Sequence, residues 1–170
     1  MFGRSLILGG GLALLVCGAA IAGDNNTLYL VQTSDGGSLA NSFSSDQSNA
    51  HGNTITASQT GSGNFAHVTM CSGGLAVPCG GGSIELTQND AGQYNGGDQF
   101  TAGGQTVRNY VSISAQDGSS ARVDQLGGGN SATLDVLDGA GTIQQNGNDS
   151  LGPVVGSVPY AGLPVTITRN

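Results

Sequence analysis

From Gln59 to Ala66 the chain reads Gln-Thr-Gly-Ser-Gly-Asn-Phe-Ala, and from Gln125 to Ala132 it reads Gln-Leu-Gly-Gly-Gly-Asn-Ser-Ala. Each stretch sets a Gly two residues after its Gln (Gly61, Gly127), another Gly four after, an Asn five after (Asn64, Asn130) and an Ala seven after (Ala66, Ala132). Matches at one shared spacing mark an internal repeat, and a repeat decides the architecture before any single motif does. Weaker copies surround these two. Gln145 is followed by Gly147, with Ser150 in the Asn place; Gln88 is followed by Asp90 in the Gly place and Gln93 in the Asn place. Gln32 opens another copy, where Ser34 and Gly37 suggest a turn with one residue inserted. The glutamines lie 27, 29, 37 and 20 residues apart, the excess length falling mainly between Cys71 and Cys79 and from Gly96 to Gly104.

On both sides of each turn the chain alternates with period two, the signal of a half-buried strand. Before the turn, Ile55, Ala57 and Gln59 share a face, as do Ala121, Val123 and Gln125. After it, Asn64, Ala66, Val68 and Met70 share a face, as do Asn130, Ala132, Leu134 and Val136. The other copies give Leu28, Leu30 and Gln32, then Ile84, Leu86 and Gln88, then Ile143 and Gln145. A further alternating run puts Val107, Asn109, Val111, Ile113 and Ala115 on one side.

Strand, tight Gly turn and strand make one rung of a β-solenoid. One rung is about 4.8 Å thick and cannot bury its own inner face, so rungs must stack in register. The expected fold is all-β, a β-solenoid of about five stacked rungs over residues 28–170, with a loop at 71–82 and a Gly-rich insertion at 96–105. An inward Gln or Asn without partners costs about 1–3 kcal/mol. An identical amide above and below removes that cost, because each NH2 donates to the carbonyl of the next rung and the stack acquires a ladder. Gly61, Gly127 and Gly147 serve the sharp turns.

Composition agrees with thin β structure. Of 170 residues 31 are Gly, only 9% are charged, and four Arg stand against eleven acidic residues for a net charge of −7. There is no basic stripe to neutralise phosphates, which argues against a nucleic-acid partner.

The first residues read as a leader. A basic start at Met1–Arg4, an apolar run from Ser5 and the small-x-small Ala20-Ile21-Ala22 predict a secretory signal peptide over residues 1–22, with an uncleaved membrane anchor as the alternative. Residues 23–27 then form a short N-terminal segment, and no transmembrane segment is expected after processing. Outside the cytoplasm disulfides persist, and Cys71 with Cys79 is read as one disulfide closing a surface loop; two thiols alone make a poor zinc site.

Gln-x-Gly-x-x-Asn-x-Ala between short alternating strands resembles the curlin repeat of curli amyloid subunits. The family places a Ser six residues before the Gln, where Asn53 and Ser119 stand, and a second Gln four after the Ala, where Met70 and Val136 stand. The resemblance implies a secreted subunit that polymerises head to tail with copies of itself into an extracellular fibre at the cell surface, as biofilm matrix or adhesive. It also implies a nucleator and a dedicated outer-membrane secretion pore as partners.

Other chemistry finds little footing. No catalytic residues, cofactor or metal are expected. His51 and His67 have no carboxylate or Cys at ligand spacing, no nucleophile elbow marks a triad, and the nonapeptide calcium repeat is absent. The alternative to a fibre subunit is a monomeric secreted β-solenoid whose polar face binds a surface glycan or a protein.

Overall fold

The computed structural model describes residues 25–34, 39–47, 50–70, 79–90, 100–102, 105–116, 118–146, 154–158 and 164–169. The expected leader at 1–22, Gln93, Gly147, Ser150 and Cys71, and with Cys71 the expected disulfide, lie outside these residues. Every regular element among the described residues is a β-strand.

Eleven strands form two parallel sheets. The first sheet runs β1 (Thr27–Thr33), β4 (Thr54–Thr60), β7 (Ser83–Asn89), β11 (Ser120–Leu126), β13 (Ala140–Asn146), β15 (Val165–Arg169), in that spatial order. The second runs β2 (Ser42–Asp46), β5 (Asn64–Met70), β10 (Asn109–Ala115), β12 (Ser131–Val136), β14 (Val154–Val158). The chain alternates between them: β1 then β2, β4 then β5, β7 then β10, β11 then β12, β13 then β14, and β15 back in the first sheet. Parallel strands cannot be joined by a tight hairpin and need a return leg; here the strand of the opposite sheet supplies it. Two short pairs stand apart, β3 (Ala50–His51) parallel to β6 (Cys79–Gly80) and β8 (Phe100–Ala102) antiparallel to β9 (Gln105–Val107). The fold is therefore all-β with parallel sheets, an arrangement compatible with a β-solenoid.

Register aligns like with like. Leu28, Ile55, Ile84, Ala121, Gly141 and Val165 form one inward column of the first sheet. Leu30, Ala57, Leu86, Val123, Ile143 and Ile167 form the next. Facing them, Phe43, Ala66, Val111, Ala132 and Val154 lie in one column of the second sheet. These side chains make one continuous core between the sheets. Large and small residues interlock: a Cβ added to Gly141 would stand 2.8 Å from Leu134 Cδ1, and one added to Gly156 would stand 3.1 Å from the same atom. Leu134 fills the space that both glycines vacate.

Two details differ from the sequence reading. Residues 79–82, expected within a loop, include β6, and the bend that follows it places Gly82 where its N–H donates to Asn53 Oδ1 at 2.7 Å. The alternating run around Val111 is not an extra strand: it is β10, the second half of the layer that begins at β7, reached after an insertion that contains β8 and β9.

Candidate functional site

Gln32, Gln59, Gln88, Gln125 and Gln145 occupy one column of the first sheet, in register from β1 to β13. Each amide donates to the next: Gln32 Nε2 to Gln59 Oε1 at 2.6 Å, Gln59 to Gln88 at 2.8 Å, Gln88 to Gln125 at 2.9 Å and Gln125 to Gln145 at 2.8 Å. The inner members are sealed from water, Gln59 and Gln88 at 0% exposure and Gln125 and Gln145 at 1%. Gln32, in the first layer, is half-buried.

The second hydrogen of each NH2 reaches across the core. Gln59 donates to the Ser42 carbonyl at 3.0 Å, Gln88 to Phe65 at 3.2 Å, Gln125 to Tyr110 at 3.0 Å and Gln145 to Ser131 at 3.1 Å. Those four carbonyl residues are themselves in register on the second sheet, each one layer behind its donor. An inner glutamine thus accepts from the layer behind, donates to the layer ahead, and pins the opposite sheet to the layer behind. Sequence reasoning anticipates a ladder along the column but contains no signal for this cross-core bond.

A second column lines the bend between the sheets. Asn64 Nδ2 donates to Asn41 Oδ1 at 3.1 Å, Asn109 Nδ2 to Asn64 Oδ1 at 2.9 Å, and Asn130 Nδ2 to Asn109 Oδ1 at 3.2 Å. Its donors point back toward β2, opposite to the glutamine ladder, so the two rows of amide dipoles oppose each other. Backbone groups join in: the N–H of Asn64 and of Asn130 also donate to the side-chain oxygens of Asn41 and Asn109. Asn41 and Asn109 belong to the site although the repeat spacing did not reveal them. Asn109 holds the Asn place in the layer of Gln88, in register with Asn64 and beyond the insertion. The recoverable signal is Asn-x-apolar at the start of four of the five second-sheet strands: Asn41-Ser42-Phe43, Asn64-Phe65-Ala66, Asn109-Tyr110-Val111, Asn130-Ser131-Ala132.

Gly61 and Gly127 turn the chain at φ of 98° and 89°. Asp90 stands in the equivalent place of the third layer, where its N–H donates to the Thr60 carbonyl just as that of Gly61 does to Thr33 and that of Gly127 to Asn89. Asp90 is fully buried; its Oδ1 accepts from the Ser62 N–H at 2.9 Å and Asn64 Nδ2 at 3.2 Å, and its Oδ2 lies 3.5 Å from Arg108 NH1. Asp90 and Arg108 therefore clasp the two ends of the insertion. The Arg108 backbone takes the stacking place of Gly63 and Gly129, donating to Gly63 O and accepting from Gly129 N, both at 2.8 Å.

The opposite bend, where the family Ser would fall, forms only a partial stack. Asn26 Oδ1 accepts from the Asn53 N–H at 3.0 Å, and Asn53 Oδ1 from Gly82. Among the described residues Asn53 Nδ2 and Ser119 Oγ are buried without a hydrogen-bond partner.

From β4 to β13 most outer positions of the first sheet are polar. Arg122 Nε donates to Asp124 Oδ2 at 2.8 Å, and its NH1 reaches Glu85 on the neighbouring strand at 3.2 Å. The hydrogen bond to Asp124, helped by both carboxylate charges, holds the Arg122 guanidinium above its ordinary value. On the second sheet the Phe65 and Tyr110 rings of neighbouring strands stack at 5.5 Å. His67 is exposed and lies between Ser44 Oγ, 2.7 Å from Nδ1, and Thr69 Oγ1, 3.3 Å from Nε2. Among the described residues no three of His, Cys, Asp and Glu gather as a metal site requires.

What this arrangement can do follows from its ends. Among the described residues β1 and β2 are edge strands at one end of the stack, and β15 and β14 at the other. No protein family, no curated protein and no solved structure matches this chain.

Proposed function

We propose that this chain is a secreted structural subunit, a β-solenoid of the curlin-repeat kind, that assembles end to end into an extracellular amyloid-like fibre serving as matrix or adhesive. The observation that carries the reading is the glutamine ladder, which starts at the edge strand β1 and runs through every layer to β13, the neighbour of the edge strand β15 among the described residues. An open edge offers a row of backbone donors and acceptors that templates another strand. A contact between two different ends does not close on itself and so generates a filament. The ladder adds register to this, since a one-residue slip would turn the inner face outward and a two-residue slip would set an amide against an apolar side chain.

Net charge favours controlled growth: acidic copies repel at low ionic strength and approach once salt screens them. The test is direct. Purified chain should elongate with a lag that preformed seeds abolish, and oriented fibres should give a meridional reflection near about 4.8 Å. A chain that stays monomeric at high concentration in physiological salt would remove this reading and favour the secreted binding module.

A further inference from the structure

We propose that the contact between successive copies is one strand wide: β15 of one copy receives β1 of the next, and Arg169 donates to Oε1 of Gln32 in the glutamine column. This rests on the fibre reading and names its partner surface as a second copy of the same chain.

The ladder has a direction. Every amide donates away from β1, and among the described residues no hydrogen-bond donor engages Oε1 of Gln32. The β1 end of the column therefore presents an acceptor. At the other end β15 continues the register, and it places Arg169, not a glutamine, over Gln145. A guanidinium carries five donors and no acceptor. It cannot take a bond from Gln145 Nε2, so the ladder ends there, but it offers donors in the sense required by an acceptor in the next layer.

Extending the β13–β15 register by one strand onto β1 matches every position. Val165 falls over Leu28 and Ile167 over Leu30 on the core side, Thr166 over Tyr29 and Thr168 over Val31 on the outer side, and Arg169 over Gln32. Strand β1 also departs from the strands inside the stack. Tyr29 and Val31 are outward and exposed, where the same columns elsewhere carry Thr56, Glu85, Arg122 and Thr142, or Ser58, Thr87, Asp124 and Gln144. Thr27–Val31 is thus apolar on both faces and free of charge, Pro and Gly, the composition that recruits strands at an edge.

Among the described residues the two sheets are unequal, with six strands against five. A joint through the first sheet therefore fixes the repeat at six strand spacings, about 29 Å per subunit. It also leaves β14 and β2 of the next copy two spacings apart. A joint through the second sheet, β14 against β2, would instead repeat every five spacings, about 24 Å, and would have to displace β15.

Cryo-electron microscopy of fibres grown from the purified chain reads this rise. A rise near 29 Å is expected; one near 24 Å would overturn the joint while leaving the fibre reading intact. Failure to form any fibre would remove the fibre reading and the joint with it. Seeded elongation tests the column chemistry. Arg169→Glu puts acceptors against an acceptor and is expected to slow elongation at least about tenfold, whereas Arg169→Gln, which restores an amide donor, should stay within about threefold of the parent. Equal rates for the Glu and Gln variants would overturn the part given to Arg169.

Discussion

If the glutamines satisfy one another, the cost of losing one depends on how many neighbours it orphans, and losing two adjacent ones costs less than the sum. Replacing Gln88 by Leu strands a Gln59 Nε2 hydrogen and leaves Gln125 Oε1 without its donor. Both atoms are sealed in the core, and each orphan costs about 1–3 kcal/mol. Burying the leucine offsets about 1.5–3 kcal/mol of this, which gives a net loss of about 1–3 kcal/mol. Replacing Gln125 by Leu does the same to Gln88 and Gln145. In the double variant Gln88→Leu with Gln125→Leu, the only ladder orphans are Gln59 Nε2 and Gln145 Oε1, so two of the four penalties vanish. The pair should therefore couple by about 2 kcal/mol or more, whereas Gln32→Leu with Gln145→Leu, at opposite ends of the column, should add within about 0.5 kcal/mol. Urea denaturation at concentrations where the chain is monomeric reads all of these. Additive costs for the adjacent pair, or losses no larger than that of the exposed Thr87→Ala control, would refute a mutually satisfied ladder.

Three further outcomes follow from the packing. Asp90→Ala removes the carboxylate facing buried Arg108 and should cost about 3–5 kcal/mol, with much of the loss recovered in Asp90→Ala/Arg108→Leu, both read from denaturation midpoints. Gly141→Val forces side-chain atoms into Leu134 and Val136 and should cost about 1–3 kcal/mol, less when combined with Leu134→Ala, as a double-mutant cycle would show. Gly127→Ala must hold a φ of 89° with a Cβ present and should lose about 1–2 kcal/mol, whereas Arg122→Ala on the exposed outer face should leave the midpoint unchanged.

Much of this arrangement is legible in the sequence because stacking turns a spatial column into a linear repeat. Gln59 and Gln125 sit in the two best copies, and the three weaker ones follow from alternation around Leu30, Leu86 and Ile143. What the sequence hides is whatever breaks the spacing. The insertion after Asp90 puts Asn109 nineteen residues beyond that Asp, outside the repeat spacing. Asn41 is hidden in the same way, because more residues separate it from Gln32 than separate Asn64 from Gln59. The clasp between Asp90 and Arg108 is invisible for another reason: two isolated charges in a polar chain look solvated until the fold brings their ends together.

The cross-core bonds from the glutamines were beyond any pattern, yet they explain why the column carries glutamine while the bend carries asparagine. At the bend an amide must reach only its own turn and the adjacent layer, as Asn130 does with the Leu126 and Gly127 carbonyls and Asn109. In the column it must span to a carbonyl of the opposite sheet while still meeting the next amide, and that requires the extra methylene. An asparagine in the place of Gln88 would have to give up either the Phe65 carbonyl or the Gln125 amide. The length of the side chain, and not merely its amide group, is therefore what ties each layer to those on both sides, and Gln88→Asn should destabilise the fold even though every polar atom is retained.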